Sequence, residues 1–184
     1  MKAINLSILF LIIGCLSLQG QGDQTLFDGK KLKMSGSWTG ISFTQTQVSN
    51  EDITQIGLST EFEFERSFLL GWQWRSAIDD GIDLNYHVFT LGYALNTASL
   101  IHPRLTIGLG PGNIQLSGDK DQILVFQPAL GVEVNLLKWA RLSIEGGYRN
   151  VSGDEIDPLV ERGDLSGFFG TATLRFGWSW GMDN

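Results

Sequence analysis

From Phe168 to Trp180 the sequence changes character at every second residue. Phe168, Gly170, Ala172, Leu174, Phe176, Trp178 and Trp180 share one parity; Phe169, Thr171, Thr173, Arg175, Gly177 and Ser179 share the other. Successive side chains of a β-strand leave opposite faces of the sheet, so this segment has an apolar face ending in aromatics and a mostly small, polar or charged one. The alternation recurs upstream. Leu142, Ile144 and Tyr148 oppose Arg141, Ser143, Glu145 and Arg149; Phe126, Leu130 and Val132 oppose Gln127, Gly131 and Glu133. Leu105, Ile107 and Leu109 oppose Arg104, Thr106 and Gly108, and Phe89, Leu91 and Tyr93 oppose Thr90, Gly92 and Ala94. Leu70, Trp72 and Trp74 oppose Gly71, Gln73 and Arg75, and Leu58, Phe62 and Phe64 oppose Ser59, Glu61, Glu63 and Glu65. The first stretch, Met34 to Gln47, is irregular: Trp38 lies on the parity opposite to Ile41 and Phe43, which requires a bulge near Gly40. With no helical periodicity after the N-terminal run, this predicts an all-β fold, an eight-stranded antiparallel up-and-down barrel.

The segments between strands alternate in length. Val48 to Asp52, Ala77 to Asn85, Ile114 to Gln122 and Val151 to Ser166 read as the longer set; Arg66-Ser67, Thr97 to Pro103 and Leu137 to Trp139 read as the shorter. Long loops at one end and short turns at the other are the plan of a barrel that spans an outer membrane with both termini in the periplasm. The long set carries most of the acid, including Asp79, Asp80, Asp83, Asp154, Glu155, Asp157, Glu161 and Asp164.

Side-chain volume decides which face points inward. The lumen of an eight-stranded barrel is just wide enough for side chains to fill it. The apolar parity is built of Phe, Trp, Tyr, Leu and Ile and would crowd such a space; the other parity is rich in Gly, Ala, Ser and Thr. It also carries Glu61, Glu63, Glu65, Glu133 and Glu145 against Arg75, Arg104, Arg141, Arg149 and Arg175, read as a paired network inside the lumen. Arg149 is expected to pair with Glu133 or Glu145. The apolar parity then faces lipid, with Trp72, Trp74, Trp139, Tyr148, Trp178 and Trp180 as interfacial aromatic girdles.

The N-terminus fits that destination. Lys2, the apolar run Ile4 to Ile13 and small or polar residues to Gly20 describe a secretory signal over 1–20, too short to span a bilayer as a helix. A periplasmic tail over 21–31, a barrel over 32–180 and a C-terminal tail over 181–184 follow. Cleavage after Gly20 is one reading; Ile12-Ile13-Gly14-Cys15 resembles a lipobox and would leave Cys15 acylated. Cys15 is the only cysteine, so stability must come from a complete core or a closed sheet and not from disulfides. The 184 residues carry a formal charge of −7 without a basic cluster, which leaves nucleic-acid binding without an electrostatic footprint.

Gly147-Tyr148-Arg149-Asn150-Val151-Ser152-Gly153, then Asp164-Leu165-Ser166-Gly167, then Leu174-Arg175-Phe176-Gly177 resembles the closing hairpin of small bacterial outer-membrane β-barrel-domain proteins. The resemblance implies fold and location in the cell outer membrane, contact with outer-membrane lipid and lipopolysaccharide, and delivery by the barrel-assembly machinery. Such barrels usually end on an aromatic residue, whereas Trp180 here is followed by Gly181 to Asn184.

Sites for chemistry are few. His102 precedes Pro103 in a short turn and reads as a surface residue. His87 lies near the outer end of the fourth strand, where a lipid-modifying enzyme could place a base, but Tyr86-His87-Val88-Phe89 matches no such motif. Asp79-Asp80-Gly81-Ile82-Asp83 reads as a solvated acidic loop and not as an EF-hand. Gly36-Ser37-Trp38 resembles the first-strand Gly-x-Trp of lipocalins, while a charged lumen argues against an apolar ligand. No cofactor is implied. The reading is a structural or surface-interaction barrel with a plugged polar lumen and acidic outer loops; the alternatives are a secreted lipocalin-like binding barrel and an outer-membrane lipid-modifying enzyme.

Overall fold

The computed structural model describes residues 32–48, 51–78, 83–116, 119–153 and 165–180. The expected signal segment, N-terminal tail and C-terminal tail lie outside these residues, as do most of the acidic positions of the longer loops. Eight strands run in chain order: β1 (Met34–Val48), β2 (Glu51–Phe64), β3 (Phe68–Ala77), β4 (Asp83–Ala94), β5 (Ile101–Leu116), β6 (Asp119–Leu137), β7 (Ala140–Ser152) and β8 (Gly167–Ser179). Each pairs antiparallel with its neighbour in sequence, and β8 pairs back onto β1 from Gly36↔Ser179 to Thr46↔Phe169, so the sheet is closed. Closure leaves no edge with unpaired backbone donors, the condition for a sheet to stand in lipid.

β1 contains no bulge near Gly40. Its register against β2 is continuous from Gly36↔Glu63 to Val48↔Glu51, and the single shift falls between Met34 and Gly36. Trp38 therefore points into the lumen, 2% exposed, while Ile41 and Phe43 point out. The indole fits because the neighbouring inward positions are small (Gly36, Gly40, Ser42), and its face receives the Arg141 guanidinium at 3.9 Å from the ring centroid.

Two segments expected as loops are strand. β1 and β2 are joined by two residues only, 49–50, and β5 and β6 by 117–118, so the 114–122 region pairs up to Leu116↔Asp119. The physical reason lies inside the mouth: Ile53, Ile114 and Ile123 are buried there, and burying them holds both hairpins in register. The longer connections that remain are 78–82 and 153–166. At the other end, nearer the termini, the turns are 65–67, 95–100 and 138–139. The two ends are called the loop end and the terminal end below.

Candidate functional site

Four carboxylates and three guanidiniums interlock in the terminal half of the lumen. Inward parity on β2 delivers Glu61 and Glu63, β5 delivers Arg104, β6 Glu133, β7 Arg141 and Glu145, and β8 Arg175, all buried. Arg141 and Arg175 stand directly opposite one another across the β7–β8 ladder, an arrangement of like charges that is unfavourable alone. Glu133, from the next strand, accepts from both: Arg141 Nη1 at 3.1 Å and Arg175 Nη1 at 2.5 Å. Arg104 Nη1 lies 3.5 Å from the same carboxylate. Glu61 accepts from Arg104 Nη2 at 2.6 Å and faces Arg175 at 3.3 Å; Glu63 accepts from Arg141 Nη1 at 2.9 Å and from the Ser35 and Ser179 hydroxyls. Glu145 accepts from Arg104 Nε at 3.2 Å and Thr106 Oγ1 at 2.8 Å.

Inward glycines make room for these long side chains. A Cβ at Gly71 would stand 2.6 Å from Glu61 Cγ, one at Gly131 2.8 Å from Glu145 Cγ, and one at Gly40 3.1 Å from Arg175 Cγ. Each charged stem thus lies over a glycine of an adjoining strand, and Ala at these places would push on the network.

Three expectations need correction. Glu65 is not in the lumen. It keeps the parity of Glu61 and Glu63, but β2 stops at Phe64 and the chain turns through left-handed conformations at Glu65 (φ 48°) and Arg66 (φ 60°). Its exposed carboxylate accepts from the Lys33 backbone N–H at 3.0 Å. Arg149 does not pair with Glu133 or Glu145; it donates to Gln55 Oε1 at 3.3 Å and Thr46 Oγ1 at 3.1 Å, with its guanidinium 5.9 Å from the centre of the Tyr86 ring. Those acids lie further toward the terminal end, where they pair with Arg104, Arg141 and Arg175. His102 is not a surface turn residue: β5 begins at Ile101, so His102 shares the inward face with Arg104 and Thr106. It is 1% exposed, with Nε2 at 3.1 Å from Glu133 and Nδ1 at 3.3 Å from the Ser99 carbonyl oxygen.

Arg75 is buried on the inward face of β3. It donates to Gln73 Oε1 at 3.1 Å and lies 5.4 Å from the Phe169 ring centre. Without Glu65, the described lumen holds four carboxylates against five guanidiniums, not five against five.

Toward the loop end the lumen turns apolar. Ile53, Leu84, Tyr86, Val88, Ile114, Ile123, Val125, Val151 and Leu165 form one buried cluster. Leu165 comes from the β7–β8 connection and is held there where the Ser166 hydroxyl accepts from the Val151 N–H at 3.0 Å. Tyr86 OH donates to Gln55 Oε1 at 3.3 Å and ties the cluster to the polar layer beneath. Sequence reasoning missed this cluster because several of its members fell in segments read as loops. The signal was present: Ile53 shares parity with Glu61, and Leu84 with Thr90.

The outer surface is the inverse. Phe89 is 68% exposed and Phe168 79%, and Ile41, Leu91, Leu130, Val132 and Ile144 are open as well. Trp139, Phe176, Trp178 and Trp180 ring the terminal end, Trp139 stacked on Phe176 and Trp178 edge-to-face with Trp180. Trp72, Trp74 and Tyr148 also point outward, nearer the loop end. Trp72 stacks on His87 at 5.4 Å, Trp74 Nε1 donates to Asn85 at 2.7 Å, and Tyr148 meets Phe168 edge-on. A closed sheet with large apolar side chains outside and paired charges inside is inside-out for water. The fold is that of a small outer-membrane β-barrel. The solved structure of Neisserial surface protein A matches 80% of this chain and 99% of its own, with a TM-score of 0.56 and 12% identity. That of Ail, the attachment invasion locus protein of Yersinia pestis, matches 79% and 99%, with a TM-score of 0.46 and 15% identity. No protein-family model and no curated protein sequence matches the chain.

His87 stacks on the outer face and is exposed, and Asp83 is exposed at the start of β4. Among the described residues no group of three His, Cys, Asp or Glu side chains is arranged to hold a metal ion.

Proposed function

We propose that this protein is an integral barrel of the bacterial outer membrane whose lumen is sealed and whose work is done at its surfaces. Short turns and both termini face the periplasm; the loop end, with its acidic connections, faces outward. The observation that carries the reading is the inversion of the two faces: Phe89 and Phe168 open outside, Glu133 and Arg104 buried inside. A lipocalin-like carrier would need the opposite arrangement, an apolar lumen open to a ligand and a polar exterior. The lumen here is filled by ion pairs in one half and by Leu165 and its neighbours in the other. The role is therefore structural or one of surface interaction, with lipopolysaccharide and extracellular partners meeting the outer loops and the barrel-assembly machinery meeting the chain during insertion.

Gel mobility of carbonate-washed membranes, boiled against unboiled in SDS, tests this. A closed transmembrane barrel stays in the membrane pellet and migrates as a compact species until heated. Protein found in the soluble fraction with no heat-dependent shift would overturn the proposal.

A further inference from the structure

The buried side chains of the lumen carry five guanidiniums against four carboxylates, an excess of 5 − 4 = +1. His102 faces an acceptor at each ring nitrogen, so a second proton there would add to the excess and not relieve it. The surplus is unevenly placed. Arg104, Arg141 and Arg175 each lie within 4.0 Å of at least two carboxylates. Arg75 and Arg149 lie that close to none among the described residues. These two occupy the layer between the ionic half and the apolar cluster. Arg75 stands opposite Tyr86 on the β3–β4 ladder, and the Tyr86 hydroxyl and Arg149 both donate to Gln55 Oε1. The layer is rich in donors. Arg75 gives one bond, to Gln73, and its Nε and Nη1 have no partner among the described residues; Arg149 Nε and Gln55 Nε2 are in the same state. All three residues are more than nine-tenths buried. Neighbouring acids do not cancel the charge. Glu145 feels Arg75 at longer range, but its close partners are Arg104 and Arg175. At the mouth, Glu51, Asp119 and Asp121 take inward positions one or two steps beyond the buried Ile53 and Ile123, and Asp121 there is partly open to screening by solvent.

We infer that this layer binds one small monovalent anion, a halide such as chloride, with the Arg75 guanidinium as its anchor. A buried charge without a counter-charge is far costlier than a paired one, and buried N–H donors without acceptors add their own desolvation penalty. One monovalent anion offsets both, because it matches the excess of one and accepts several N–H bonds at once. Packing narrows the class further. Arg75 Cζ is 5.4 Å from the Phe169 ring centre, and a Cβ at Gly57 would stand 3.0 Å from Arg75 Cγ. Such close surroundings favour a single atom over a bulky oxyanion, and a doubly charged one would overshoot the excess.

The test is urea unfolding of the reconstituted barrel at constant ionic strength, with sodium gluconate replaced stepwise by sodium chloride. Gluconate is monovalent but too bulky for the layer. Chloride at about 100 mM should favour the folded state by about tenfold, the mass-action effect of a site with a Kd of about 10 mM. Bromide should substitute for it. Arg75→Gln should remove the dependence. Equal stability of the unchanged protein in the two salts, or a dependence that Arg75→Gln leaves intact, overturns the inference. Crystals of the unchanged protein grown in bromide give a second reading that needs no variant to fold. An anomalous peak in contact with the Arg75 guanidinium is expected, and a lumen without one overturns the inference. Either result leaves the outer-membrane reading untouched, since the site depends on the buried lumen and not on what surrounds the barrel.

Discussion

Toward the terminal end the lumen is filled by Glu61, Glu63, Glu133 and Glu145 clasped to three arginines; toward the loop end it is filled by Ile53, Ile114, Val125, Leu165 and their neighbours. Both halves occupy the same narrow space. One does so with directional bonds in which each partner is needed, because a lone buried charge is far costlier than a buried pair. The other does so with volume, where what matters is that no gap is left. The contrast teaches where each half is vulnerable: the first to loss of a charge at constant shape, the second to loss of shape at constant polarity.

The largest expected effect is at the hub. Glu133→Gln keeps the shape but leaves Arg141 and Arg175 facing each other without their shared carboxylate, and should cost about 3–5 kcal/mol in urea unfolding of the reconstituted barrel. A loss below 1 kcal/mol would dissolve the distinction between the halves. In the apolar half, Ile114→Ala should cost about 2–5 kcal/mol by the same measurement, for the lost burial and the cavity left behind.

Arg149→Leu sharpens the boundary. Arg149 lies among Gln55, Thr46 and Tyr86 and not against a carboxylate, so its removal strands no anion. Stability should stay within about 1 kcal/mol of the unchanged protein. A cost as large as that of Glu133→Gln would extend the ionic half past Tyr86. The smallest effect lies outside both halves and has the opposite sign. Asn-Gly in place of Glu65-Arg66 suits the left-handed turn and should stabilise the fold by about 1 kcal/mol, read as a shift in the urea midpoint.

These regions were unequally legible in the sequence. Alternation located all eight strands, and the confinement of mid-strand charges to one parity placed Arg104, Glu133, Arg141, Glu145 and Arg175 together. Parity assigns a face but not the end of a strand, so Glu65 was carried one step too far along β2. It also gives no height along the lumen, so it does not tell Arg149 from the arginines that pair with Glu133 and Glu145. Ile53, Ile114 and Ile123 hid for a different reason. Large apolar residues on the inward parity blur the alternation itself, and without it the hairpin tips looked like loops. Trp38 conflicted with Ile41 and Phe43 only because a lumen-facing indole was not expected, and three small neighbours on its own strand admit it.

The seam between β1 and β8 has a bearing on how such a chain comes into being. Thr44 and Thr171, 127 residues apart, share a 2.9 Å hydrogen bond across it, and the ladder around them cannot form until the final strand exists. Until then any sheet the chain forms is open, with two raw edges and an apolar outer wall, a species ready to aggregate. Distant pairings of this kind are also slow to find one another. Closure of the barrel is therefore the last pairing to form, and the chain is most open to aggregation before it.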